Sequence, residues 1–241
     1  MQDPEFAFRV DFGFPRVLRP DAAVMISDAG IAERETGPCL FRAPWLHTLV
    51  HHLVRKPANM RLVQRLWLDL PPGAKVIDVG CGPGDARPYL PDVDYLGFDP
   101  SERFIADARR KHGGAGRFYV GTAASFLNHP DFRDADRVLC WGVLHHLDDG
   151  QVREVLRFAR RALKPGGLLL GIEPCFLLRQ GWLSRKLMEL DAGDHIRQER
   201  AWRALLGEVF EEAVTEVCVG LTRIPYVHII LQGRKPDDAA P

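Results

Sequence analysis

From Lys75 onward the chain alternates short apolar runs with helical stretches, and this alternation limits its fold more than any other feature. The runs are "KVIDVG" (75–80), "DYLGFD" (94–99), "RFYVG" (117–121), "DRVLCW" (136–141) and "GLLLGIEP" (167–174). "SERFIADARRKH" opens on Ser101, whose hydroxyl can accept from the free N–H groups of a first helical turn. "DDGQVREVLRFARRALKPGG" opens on aspartates and closes on Lys-Pro-Gly-Gly, with Val152, Val155, Leu156, Ala159 and Leu163 on one face. Strands that are apolar on both sides need helices on both sides, and strand–helix–strand links make them parallel. The final runs, "EAVTEVCVGL" (212–221) and "PYVHIILQG" (225–233), are joined by too short a link for a crossover, so they pair antiparallel. The expected fold is α/β: a seven-stranded sheet of five parallel strands plus a C-terminal antiparallel hairpin, with helices on both faces.

The rest of the chain divides around this core. Residues 1–43 are rich in Pro, Gly and charge without a sustained period, and read as an irregular N-terminal arm. Residues 44–72 read as a helical lobe, with Leu46, Leu49, Val50, Leu53 and Val54 at three- and four-residue spacing and a second stripe after Pro57. The main domain is expected over 73–237, interrupted by a largely helical insert at about 175–211, a candidate substrate lid. Within the insert, Trp182, Leu183, Leu187 and Leu190 form a helical stripe. Core packing is its default reading, and lining an apolar acceptor pocket is the sharper one.

Composition weighs against several function classes. Of 241 residues, 46% are hydrophobic, enough for one domain with a real core. Lys plus Arg and Asp plus Glu are both 32, so there is no basic excess of the kind that marks phosphate-backbone binding, and no nucleic-acid partner is expected. Cys39, Cys81, Cys140, Cys175 and Cys218 are scattered, which points to buried free thiols rather than a zinc site or a disulfide framework. His47 and His51 share a helix face, but His47, His51 and His52 have no Glu or Cys ligand pattern beside them, so no metal site is expected. No signal peptide opens the chain and no run of 18 apolar residues is present, so a cytoplasmic protein with no membrane partner is expected.

The chemistry is concentrated where the first strand runs out. "VIDVGCGPGD" (76–85) places Asp78 inside the strand and Gly80, Gly82 and Gly84 behind it. Residues without a Cβ let the backbone bend sharply and let a ligand lie against it. In an open parallel sheet, ligands bind beyond the carboxyl ends of the strands where strand order reverses. Asp99 ends the second strand, 21 positions after Asp78, where a carboxylate can accept from both hydroxyls of a ribose. A carboxylate beside the loop favours a cationic ligand over a pyrophosphate. Pro88 and Pro91 leave room only for a helical stub after the loop, so its N–H groups, rather than a helix dipole, must hold a ligand.

With "YLGFDPSERFIADAR", "DRVLCWGVLHHLDD" and "LKPGGLLLGIEP" following in this order and spacing, the chain from about Lys75 to Lys235 resembles the class I S-adenosylmethionine-dependent methyltransferases of the small-molecule type. The resemblance implies a Rossmann-like sheet, S-adenosylmethionine as cofactor and a small-molecule acceptor. It implies that Gly80, Cys81, Gly82 and Gly84 wrap the methionine and ribose portion, that Asp78 orders the loop, and that Asp99 takes the ribose hydroxyls. Pro100 and Phe104 then pack near the adenine, and the backbone at Cys140, Trp141 and Gly142 meets the methionine end. Family members often carry Asp-Ala after the third strand, where this chain has Thr122-Ala123; a hydroxyl accepts from the adenine amino group more weakly than a carboxylate.

Methyl transfer from a sulfonium needs a base only when the acceptor must lose a proton. The candidates are His145, His146, Glu173 and His195. Each has a bland reading beside the catalytic one: loop shaping for the histidine pair, helix capping for Glu173, and a solvated surface for His195. Metal-independent O-methylation is the leading expectation. A SAM-binding partner subunit without activity and a nucleotide-dependent oxidoreductase are the alternatives, the latter opposed by the terminal hairpin and the Asp78-led loop.

Overall fold

The computed structural model describes residues 69–190 and 193–237. The expected arm (1–43), nearly all of the helical lobe (44–72), its histidines His47, His51 and His52, and Cys39 lie outside the described residues. The sheet comprises β1 (Lys75–Val79), β2 (Asp94–Asp99), β3 (Arg117–Val120), β4 (Ala135–Trp141), β5 (Leu163–Phe176), β6 (Arg197–Gln198), β7 (Glu212–Val219) and β8 (Val227–Arg234). Its order is β3-β2-β1-β4-β5-β8-β7, with β6 paired off the path to the end of β5. The first five strands are parallel, and β8 lies antiparallel to both β5 and β7. This is the expected sheet, with the two-residue β6 added. Strand order reverses between β1 and β4, which places the switch point beside the glycine turn.

The helices among the described residues are α1 (Glu102–His112), α2 (Ala123–Phe126), α3 (Asp149–Ala162), α4 (Trp182–Glu189) and α5 (Glu199–Gly207). Ser101 caps α1, its hydroxyl accepting from Phe104 N at 3.3 Å. Asp148 and Gln151 cap α3 reciprocally: the Asp148 carboxylate accepts from Gln151 N at 2.8 Å and the Gln151 side chain from Asp148 N at 3.1 Å. The α3 face predicted from spacing is buried, together with Phe158 and Ala162. Two apolar clusters form, one containing Ile77, Val79, Leu96 and Phe98 with α3, the other containing Val76, Tyr95, Ile105 and Ala108. Residues of β1 and β2 alternate between them, as strands covered on both sides require. The stub after the glycine turn is a single 3-10 turn, Arg87–Tyr89, with Pro88 in its first positions.

Two expectations need correcting. The fifth strand begins at Leu163 and runs to Phe176, beyond the apolar run at 167–174. Leu163 pairs with Ala135 and Leu168 with Arg137, so Lys-Pro-Gly-Gly is looped within the strand, where Lys164 is ion-paired to Asp136. The insert stripe does not pack in the core: Trp182 is 79% exposed, and Leu183 and Leu190 are exposed as well. The buried face of α4 is instead Ser184 and Met188, both hydrogen-bonded by Gln180 Nε2 at 2.8 Å. The four described cysteines are buried free thiols. No helix among the described residues is long and apolar enough to cross a membrane.

Candidate active site

The three loop glycines all have left-handed backbones, and each has its own reason to lack a side chain. A Cβ on Gly80 would overlap the Val143 side chain, so this residue lets the loop after β4 close on the loop after β1. A Cβ on Gly84 would lie 2.8 Å from His112 Cδ2 and 3.3 Å from Phe118 Cε1, which makes it a packing site for the end of α1. A Cβ on Gly82 would meet nothing within 4 Å. Gly82 is thus the member of the three that faces open space, as a ligand cradle requires.

Asp99 joins this turn to β2. Its Oδ2 accepts from Gly82 N at 3.1 Å and its Oδ1 from Ser101 N at 2.8 Å. Burial pushes its carboxyl above the usual carboxylate range, and the two N–H bonds oppose that shift. Each oxygen keeps a further lone pair for a hydroxyl donor. Pro100 is exposed and Phe104 half-buried beside it.

Beneath the turn lies Asp78, 2% exposed. Tyr95 donates its hydroxyl to Asp78 Oδ2 at 2.6 Å. Burial raises the Asp78 carboxyl to about 7, Tyr95 opposes the shift, and Asp99 and Asp85 add to it. Gly97 is paired with Asp78 across the strands, and a Cβ there would lie 2.8 Å from Cys81 Sγ and 3.0 Å from Tyr95 Cε1. Cys81 is buried under the turn, and burial with the neighbouring carboxylates pushes its thiol far up, so it is inert.

After β3, Thr122 opens α2 and is exposed, with its hydroxyl 3.2 Å from Ser125 Oγ and its N–H donating to the same oxygen. Ala123 is buried behind it. After β4, Cys140 is fully buried, Trp141 half-buried, and Gly142 exposed with a left-handed backbone fixed by donation to Ile172 O at 2.9 Å. A Cβ on Gly142 would sit 3.9 Å from His145 Cε1.

Glu173 is entirely buried. Its Oε1 accepts from Val143 N at 3.0 Å and Leu144 N at 2.9 Å, and its Oε2 from His145 N at 3.2 Å. His145 Nδ1 lies 2.7 Å from the same Oε2. A carboxylate has about four acceptor positions, and this one fills four. Glu173 therefore holds the loop rather than facing an acceptor, and neither a free base nor a helix cap describes it.

The insert closes on this loop. His195 N donates to His145 O at 2.9 Å, while the His195 residue itself is exposed. A Cβ on Gly193 would overlap the His145 ring. The exposed His146 has its ring 4.0 Å from that of His145, centroid to centroid. The four candidates thus fall in one neighbourhood, with His145 at its centre. The charged run 197–203 reads from its sequence as a solvated helix face, yet its Arg197 is buried. It donates to Leu144 O at 3.3 Å, His195 O at 2.9 Å and Leu147 O at 2.7 Å, pairs with Asp149, and lies 4.8 Å from the Trp202 ring centroid. Tyr95, the donor to Asp78, is likewise unmarked by its sequence position. A tyrosine two places before a strand glycine carries no signal unless the register with β1 is known.

A glycine turn and a strand-end carboxylate lie together at the switch point of an open parallel sheet, where folds of this class bind their ligands. Residues 77–169 match the family model described as a methyltransferase domain. Over 114 residues the chain is 36% identical to trans-aconitate 2-methyltransferase of Methylobacterium nodulans, a match covering 45% of this chain and 40% of that protein. An uncharacterized methyltransferase of Synechocystis sp. is 27% identical over 185 residues, 72% of this chain and 83% of that one. In structure, the human N-acetylserotonin methyltransferase, solved in complex with SAM, superposes with a TM-score of 0.57 at 23% identity, covering 74% of this chain and 52% of that one. Over residues 77–169 the chain is thus similar to methyltransferase domains, and its fold is that of solved S-adenosylmethionine-dependent methyltransferases. The match spans about two fifths of the Methylobacterium nodulans relative's own length.

Proposed function

We propose that the protein transfers the methyl group of S-adenosylmethionine to a hydroxyl oxygen of a small-molecule acceptor, without a metal ion. What carries this reading is the His145–Glu173 pair, 2.7 Å apart and buried, set beside the Gly142 turn where the methionine end of the cofactor is expected. With Nδ1–H directed at the carboxylate, the basic nitrogen of a neutral imidazole is Nε2.

When bound, the cofactor supplies a methyl group on a sulfonium, a leaving group already activated by its charge. The chain aligns and excludes water. Gly82 would lie along the methionine and ribose portion, in a turn shaped by Gly80 and Gly84, with Cys81 and Asp78 beneath it and Asp99 at the ribose hydroxyls. Pro100, Phe104, Thr122 and Ala123 border the adenine. Cys140, Trp141 and Gly142 present backbone to the methionine end. Alignment of this kind can contribute on the order of 7–11 kcal/mol. The insert at about 175–211 acts as a lid. Gly193 rests against the His145 ring, so the acceptor reaches Nε2 only when this passage shifts.

A second reading has its own support. Trans-aconitate, the acid in the name of the Methylobacterium nodulans relative, offers carboxylates that are ionised at neutral pH and need no base. Methyl transfer from labelled cofactor to a panel of hydroxyl and carboxylate acceptors separates the two. In His145→Gln, kcat on a hydroxyl acceptor should fall by about 10²–10⁴, whereas a carboxylate acceptor should be methylated almost as before. Cofactor binding without transfer to any member of the panel would instead indicate a non-catalytic binding subunit.

A further inference from the structure

We infer that Tyr95 is a positioning residue that sets the charge of Asp78, and through it the pH range over which S-adenosylmethionine binds. The inference rests on Asp78 lying in the cofactor site. Asp78 is buried with a neutral donor, the Tyr95 hydroxyl, at 2.6 Å. The charged and titratable groups around it come from each neighbouring element. They are Asp99 at the end of β2, Asp85 and Cys81 in the glycine turn, and Cys140 on β4. The carboxylates among them are acidic and oppose ionisation of Asp78. Arg87 is directed elsewhere: it lies 6.0 Å from the Tyr95 ring centroid and donates to the carbonyls of Ala115, Leu90 and Pro91. Asp78 therefore holds its charge by one hydrogen bond until a cationic ligand arrives, and the cofactor's ammonium is such a cation.

The sign follows. Burial places the Asp78 carboxyl at about 7, above its ordinary range. Below that pH the group is protonated and has no charge to offer, so affinity falls as pH falls through about 7. Between pH 7.5 and pH 6 the ionised fraction drops about eightfold, and affinity should drop with it. Removing the tyrosine hydroxyl takes away the interaction that lowers the Asp78 carboxyl, and the profile moves to higher pH.

The test is the dissociation constant of S-adenosylmethionine, measured calorimetrically on the full chain from pH 6 to pH 9. The ligand's own α-ammonium titrates near pH 7.7–8.0 but cancels in the ratio of variant to wild type. For Tyr95→Phe, affinity at pH 7 should fall about fivefold, with the ratio returning to one by pH 9. A ratio that stays constant across the range means a packing role only and overturns the inference. Should Tyr95→Phe not fold, Asp78→Asn decides, because it keeps a partner for Tyr95 and removes the titration. Its affinity should be flat from pH 6 to pH 7.5, and a wild-type slope there overturns the inference equally. Wild-type protein that binds no S-adenosylmethionine at any pH would sink the cofactor-site reading itself, an outcome distinct from either of these.

Discussion

Two loops meet at the carboxyl end of this sheet, and they are built in opposite ways. The turn after β1 is held from Asp99 by one bond to Gly82, leaves open space over Gly82, and rests on Asp78, a buried acid with one neutral donor. The loop after β4 is closed: Glu173 accepts three of its N–H groups and meets its imidazole, and Arg197 takes the carbonyls of Leu144 and Leu147. The difference teaches that the first loop leaves acceptor positions and space that the protein does not fill, as the proposed cofactor site needs, while the second is preorganised by the protein alone. Preorganisation suits a group that must meet a reacting atom, and reserve suits a group that must bind and release.

Substitutions can break that contrast. The largest effect should come from Glu173→Ala, which strips a buried acceptor from three N–H groups and a histidine. It should destabilise the fold by about 3–5 kcal/mol, read as a lower urea midpoint at unchanged slope. A loss below 1 kcal/mol would mean the loop supports itself. Next is Asp99→Ala. Its cofactor affinity should fall by about 1.5–3 kcal/mol, roughly ten- to a hundredfold by calorimetry, with a smaller loss of stability than Glu173→Ala. Unchanged affinity would remove Asp99 from the ribose. The smallest and sharpest effect compares two glycines. Alanine at either position costs about 1–2 kcal/mol of backbone strain. At Gly84 the methyl also meets His112 and should lower the melting temperature more. At Gly82 it enters open space, and the loss should appear mainly in cofactor affinity. The reverse order would mean the open space over Gly82 is not where the ligand lies.

Much of this was legible in the sequence. Apolar runs gave the parallel strands because a strand covered on both sides has no polar face to disguise it. Glycine spacing and the Asp78–Asp99 interval located the switch point. What escaped was long-range pairing. Tyr95 acts on Asp78 only through the β1–β2 register, and Arg197 reaches a loop about fifty residues earlier in the chain. Glu173 reads from the sequence as a candidate base or a helix cap. Its partners are backbone N–H groups, and these have no sequence identity to read. The α4 stripe misled because helical periodicity shows that a face is apolar without showing whether anything covers it.

The fit of Gly193 against the imidazole has a practical corollary. A chain seeking new acceptors cannot alter every part of its insert with equal freedom. Even one methyl group at 193 collides with the ring, whereas the outer side of α4 around Trp182 meets solvent and can be rewritten. Diversification of substrate range in this architecture, by natural drift or by directed evolution, should therefore collect mutations on that helix and leave the passage from 193 to 197 nearly untouched.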